Sequence, residues 1–130
     1  MNHGISQIIN NLKTANIAGK EKTTFGFSKF RKSILDKLSD LGFISDVKVT
    51  GTAPIQYIEV SLVYETDGRP KIAGVQQLSK YSRRVYGSYR EAHQVKNGYG
   101  ALLVSTPKGV LTDREVRAQK IGGEFLFKIW

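Results

Sequence analysis

The chain has 130 residues, 40% of them hydrophobic and 24% charged, with 20 Lys+Arg against 11 Asp+Glu, a formal net charge of +9 and no cysteine. That composition suits one compact unit or two small lobes and excludes a disordered polymer, a disulfide framework and zinc–thiolate sites. No apolar run approaches the ~20 residues of a membrane span, the start lacks the order of a signal peptide, and His3 and His93 are too far apart to suggest a metal cluster, so a cytosolic protein without metal or cofactor is expected.

Ile5, Ile8, Ile9 and Leu12 recur at helical spacing and predict an amphipathic first helix ending near Ala15-Asn16. Residues 19–21 read as a loop, and Lys22 to Phe27 as a short strand. Ser28 to Ile44 contains the clearest helix, with Ser28 as N-cap, Phe30, Ile34, Leu35, Leu38 and Leu41 as the apolar stripe, and Gly42 just past its end. Lys29, Arg31 and Lys32 stand in its first turn, where the helix dipole disfavours cations. They are either a solvated basic face or a set that phosphates compensate. Phe43 to Thr50 and Ile55 to Tyr64 predict an antiparallel hairpin turning at Gly51-Thr52-Ala53-Pro54.

Thr66-Asp67-Gly68-Arg69-Pro70 is turn-rich, and the charge balance changes there. Residues 1–65 carry 8 basic and 6 acidic residues, whereas residues 66–130 carry 12 and 5. The second half therefore suits a polyanionic partner: RNA, DNA, an acidic protein or an anionic surface. Ile72 to Leu78 predicts a strand, followed by a segment dense in base and aromatic, Ser79 to Tyr86. Arginines there can pair with phosphate and tyrosines can stack on an unpaired base. Glu91 to Asn97 suits a short helix.

Ala101 to Val104 is an apolar run fit for a strand buried on both faces. Ser105-Thr106-Pro107-Lys108-Gly109 then halts regular structure, since Pro107 has no N–H and Gly109 permits positive φ. The expected loop offers hydroxyls, a cation and backbone amides to sugars, phosphates and base edges. The plainer alternative is a polar turn and a solvated helix. Thr112 or Asp113 can cap that helix, which carries Arg114, Arg117 and Lys120, ends at Gly122-Gly123, and returns as a strand from Glu124 to Trp130.

Residues 105–114, read as Ser-Thr-Pro-Lys-Gly-Val-Leu-Thr-Asp-Arg and followed by Gly122-Gly123-Glu124, resemble the C-terminal signature of the bacterial small-subunit ribosomal protein eight family. That signature reads Ser-Thr-Ser-Lys-Gly-Val-Met-Thr-Asp, a short helix and Gly-Gly-Glu; Pro107 replaces its second Ser. Ser28-Lys29, Gly42-Phe43-Ile44, Arg84 and Tyr86 are also similar to family positions, so the resemblance spans almost the whole chain.

The expected fold is α+β in two lobes. The N-terminal lobe, 1–65, is an αβαββ sandwich on a small mixed sheet. The C-terminal lobe, 66–130, is mainly antiparallel, with a short helix between its last two strands. The resemblance implies a structural constituent of the small ribosomal subunit: a primary binder of 16S ribosomal RNA in the central domain that aids platform assembly. It also implies neighbouring small-subunit proteins as partners and repression of its own operon messenger RNA. The implied contacts are Ser105, Thr106, Lys108, Gly109, Arg84, Tyr86, Gly122, Gly123 and Glu124, with Lys29, Arg31 and Lys32 on the RNA backbone. No phosphate-loop, H-E-x-x-H or G-x-S-x-G pattern occurs. The competing expectation is a small enzyme or protein-interaction module with an anion-binding loop.

Overall fold

Four isoleucines and leucines, Ile5, Ile8, Ile9 and Leu12, are all buried along the first helix, α1 (Gly4–Ile17). The computed structural model describes residues 4–80 and 82–130, so His3 and Tyr81 lie outside the described residues. The described chain forms an α+β structure with two antiparallel sheets. It divides into two compact units, Gln7–Ile72 and Ala73–Trp130, the latter joined by residues 4–6.

In the first unit, β1 (Lys22–Gly26) leads to α2 (Lys29–Asp40). The helix starts at Ser28, whose hydroxyl accepts the Arg31 N–H at 3.1 Å. It stops at Gly42, where φ is +86°. There the Gly42 N–H reaches Ser39 O and the Phe43 N–H reaches Leu38 O, a Schellman closure of the last turn. Ile34, Leu35 and Leu38 face inward, as the stripe predicts, while Leu41 stays at the surface.

The hairpin is β2 (Ile44–Thr52) and β3 (Ile55–Leu62), with only Ala53 and Pro54 between the two strands and a bulge between Ser45 and Lys48. The expected turn at 51–54 is thus narrower, because Gly51 and Thr52 still pair with Gln56 and Ile55. The sheet order is β1-β3-β2, and both pairings are antiparallel. This corrects the expected mixed sheet. β1 and β2 do run the same way, as the helix connecting them allows, but β3 inserts between them. Ile58, Val60 and Leu62 form the buried face of β3.

The second unit holds a five-stranded sheet in the order β4-β8-β6-β7, with β5 also pairing with β8. β4 is Val75–Gln77, shorter than the expected 72–78, and β5 is Tyr86–Gly87. The helix expected over 91–97 is instead two 3-10 turns, Tyr89–Glu91 and Lys96–Gly98. Lys96, Asn97 and Gly98 all have positive φ, which an α-helix cannot accommodate. β6 (Ala101–Thr106) and β8 (Gly123–Ile129) form the centre, and Ala101 to Val104 are buried on both faces.

β7 (Gly109–Thr112), which the sequence pattern did not suggest, runs directly into α3 (Asp113–Gln119). Thr112 is the N-cap, and Glu115 completes a capping box. The helix does not end at Gly122-Gly123: Lys120 already adopts the left-handed conformation, φ 56° and ψ 43°. Val116 packs with Leu102, Val104, Leu111 and Phe125 in the core.

Loss of the α2 cap gives a direct check. Ser28→Ala is expected to destabilise the protein by about 1 kcal/mol, measured by urea unfolding, with the unfolding slope unchanged.

Candidate nucleic-acid interface

Ladder register decides which side chains share a surface. Tyr86 on β5, Glu124 on β8 and Ser105 on β6 are successive cross-strand partners. Directly opposed residues in antiparallel strands project to one face. The three therefore form one row across the sheet. Tyr86 is exposed, Ser105 half-buried and Glu124 buried. Arg84 reaches into the row, its Nη1 lying 3.7 Å from Glu124 Oε2. The carboxylate thus orients a guanidinium beside the exposed ring, and its charge is compensated within the protein.

A buried serine holds Arg84 and Tyr86 in place. Ser79, 1% exposed, accepts the Val85 N–H at 2.8 Å, and its hydroxyl donates to Val85 O at 3.3 Å. Val85 O also accepts the Phe125 N–H at 2.8 Å, which ties this residue to β8. With Val85 fixed, the side chains of Arg84 and Tyr86 leave a rigid backbone. Sequence reading passed over Ser79, because a serine beside basic residues carries no signal of burial. Lys80 and Arg83 close the preceding turn through reciprocal backbone hydrogen bonds.

Ser105 and Thr106 are not on a loop. Both are strand residues, and only Pro107 and Lys108 lie between β6 and β7. As consecutive strand residues they face opposite sides of the sheet. The Thr106 hydroxyl is engaged within the hairpin: it donates to Gly109 O at 2.7 Å and accepts the Lys108 N–H at 3.1 Å. Gly109, at φ +110°, allows that tight return, and Lys108 is exposed at the tip.

Gly122 and Gly123 have a structural reason to be glycine. A Cβ on Gly123 would lie 2.1 Å from Ser105 O, and one on Gly122 would lie 2.4 Å from Gly87 O. The space beside them is filled by the protein's own backbone.

Lys29, Arg31 and Lys32 belong to the unit Gln7–Ile72, and two of them have internal partners. Arg31 donates to Gly26 O at 3.1 Å and to Gln7 Oε1. Lys32 pairs with Asp36 at 2.8 Å, one turn along α2. Lys29 is exposed.

The molecule is thus an α+β protein of two antiparallel sheets that presents a strand-borne polar row, with an aromatic ring and a positioned guanidinium, rather than the loop foreseen from its sequence. The chain belongs to the ribosomal protein S8 family, whose model matches residues 3–130. It is 39% identical over 130 residues to the small ribosomal subunit protein uS8 of Helicobacter pylori (strain Shi470), covering 100% of this chain and 99% of that protein. It is 33% identical over 128 residues to the protein of the same name from Borrelia turicatae (strain 91E135), covering 98% and 97%. These relatives bear the names of ribosomal proteins, not of enzymes.

The two hydroxyls should separate in a stability measurement. Thr106→Ala is expected to cost about 1–2 kcal/mol, because it removes both hairpin hydrogen bonds. Ser105→Ala should stay within about 0.5 kcal/mol of the parent. Equal losses in thermal unfolding would show that Thr106 does not hold the turn.

Proposed function

We propose that the protein is a structural constituent of the small ribosomal subunit that binds 16S ribosomal RNA in its central domain and aids assembly of the platform. The observation that carries the reading is the row of Tyr86, Glu124 and Ser105 with Arg84 held beside it. Its chemistry fits an irregular RNA site. An exposed tyrosine ring stacks on an unpaired base, a serine hydroxyl donates to or accepts from base edges and sugar hydroxyls, and a positioned arginine takes a phosphate. Glu124 accepts from a base amino group where its lone pairs face outward. Lys108 adds charge at the hairpin tip, while Thr106 and Gly109 fix that tip. Gly122 and Gly123 keep the strands beneath it close.

On this reading residues 66–130 carry the specificity. Residues 1–65 contribute backbone contacts, and Lys29, on the exposed start of α2, is better placed for them than Arg31 or Lys32. The relatives' names place them in the small subunit, which supports the ribosome in the cytoplasm as the working location and other small-subunit proteins as neighbours. A messenger RNA from the protein's own operon that copied the ribosomal site would meet the same row, and binding there would repress translation.

The test is a salt series with a hairpin cut from the 16S central domain and a mismatched control. Ser105→Ala and Tyr86→Ala should each weaken cognate binding by about 1–3 kcal/mol without altering the salt dependence. Lys108→Ala should do the reverse, lowering the slope of log affinity against log salt by about 0.7–0.9. Full cognate affinity in both row variants would remove the row as the reading surface.

A further inference from the structure

The unit Ala73–Trp130 carries ten Lys and Arg against four Asp and Glu. All four carboxylates have partners within the unit, although Glu91 stays exposed. Glu91 accepts the Ser88 N–H at 3.0 Å, and Glu115 accepts the Thr112 N–H at 3.0 Å, each closing a capping box. Glu124 pairs with Arg84. Asp113, 5% exposed, accepts the Leu102 N–H at 3.2 Å and pairs with Arg117 at 2.9 Å. Most of the positive charge is therefore left to outside partners, and it is not confined to the row face.

The sheet has a second side. Val104 and Phe125 alternate along their strands with Ser105 and Glu124, so they face away from the row. Val116 of α3 packs on that opposite side with Leu102, Val104, Leu111 and Phe125. The outer surface of α3 and of the neighbouring Tyr89–Glu91 turn is therefore a separate surface from the row. Arg114, Lys120, Arg90 and His93 are exposed there.

Arg117 joins the two elements and is unusually well fixed. Its Nη1 donates to the buried Asp113 carboxylate and to Ala92 O, the carbonyl that follows the 3-10 turn. Asp113 is itself anchored by the backbone of β6. A guanidinium has five donors in a planar fork. With Nη1 occupied, the Nε and Nη2 donors of a side chain one-third exposed are left for an outside acceptor. An arginine already ordered in this way loses little freedom on taking a phosphate, and its fork matches two phosphate oxygens.

We propose that this face, Arg117 flanked by Arg90, Arg114 and Lys120, is a second RNA-backbone contact, so that the C-terminal unit holds two RNA segments at once, one on each side of its sheet. Asp113 is the positioning residue that presents Arg117. The proposal rests on the RNA-binding reading of the row. The one tyrosine beside these cations, Tyr89, already stacks with Arg90 at 5.7 Å and accepts its Nε–H at 3.3 Å, and the face is otherwise made of guanidinium and ammonium groups, so the second contact reads phosphates rather than sequence. The sheet between the two faces makes their separation rigid, which suits a protein that fixes the spacing of two RNA strands during assembly.

The experiment measures bridging. The full-length protein is mixed with a fluorophore-labelled 16S central-domain hairpin and a short, unrelated RNA duplex carrying the acceptor, and energy transfer reports the ternary complex. The expected result is transfer with the parent protein. The double variant Arg90→Ala/Arg114→Ala should lose it while binding the hairpin with unchanged affinity. For the duplex, the slope of log affinity against log salt should fall by about 0.9 per arginine removed. Arg117→Lys keeps a partner for the buried Asp113 and loses the fork, so the fold is retained, hairpin binding is unaffected and bridging weakens. In contrast, Ser105→Ala and Tyr86→Ala should weaken the hairpin and leave duplex binding intact. Hairpin binding without transfer in the parent protein overturns the second contact but leaves the row reading in place. Failure to bind the hairpin at all overturns both. Preference for polyglutamate over the RNA duplex at the α3 face would assign it to an acidic protein and overturn the proposal.

Discussion

The close approach of three strands at Gly122-Gly123 is the constraint on which the surface of the C-terminal unit depends. The carbonyls of Gly87 and Ser105 occupy the positions where Cβ atoms of Gly122 and Gly123 would stand. No other residue type allows β5, β6 and β8 to meet this closely. That contact fixes the register in which Tyr86 and Gly87 oppose Glu124 and Gly123, with Ser105 on the far side of Glu124. The row is thus a consequence of backbone packing. Ser79 extends the same logic to Arg84, since its hydroxyl clamps both polar atoms of Val85. Gly87 is also held from beneath, because a Cβ there would lie 2.5 Å from the Phe125 ring.

Electrostatics follows the same internal economy. A chain with formal charge +9 would repel itself if its cations were crowded and would repel RNA wherever its carboxylates faced outward. In the C-terminal unit the four carboxylates are spent on caps, on Arg84 and on Arg117. Each ordered group either caps the start of a helical turn or steadies an arginine. The consequence is a surface whose outward charge is positive and whose most useful guanidiniums are already oriented.

Much of the fold could be read from residue types alone. The α2 stripe, Ser28, Gly42 and the buried run from Ala101 to Val104 each carry a local signal, because caps and periodicity act over a few residues. Less legible were features set by distant partners. β7 was missed because Gly109–Thr112 is too short for a period to show. The insertion of β3 between β1 and β2 depends on pairing across the sheet, which spacing does not reveal. The split of Ser105 from Thr106 depends on where β6 ends. The Pro107 and Gly109 punctuation pointed to a loop, whereas the ladder runs on through Thr106. Composition marked the segment from Ser79 to Tyr86 and the family resemblance picked out Arg84 and Tyr86, but their relation to Glu124 and Ser105 appears only in the register. Ser79 and the Asp113–Arg117 pair carried no separate signal, since burial of one polar side chain is decided by the whole fold.

The claim that the sheet row reads RNA is tested most directly by mapping the bound surface. Nitrogen-labelled protein is titrated with the 16S central-domain hairpin, and amide chemical shifts are followed residue by residue. The account predicts that the largest changes fall at Arg84, Tyr86, Ser105 and Glu124, with the Lys108 tip, and that the Ser105→Ala protein shows them attenuated at the same residues. Changes concentrated in Gln7–Ile72, with the row unmoved, would contradict it.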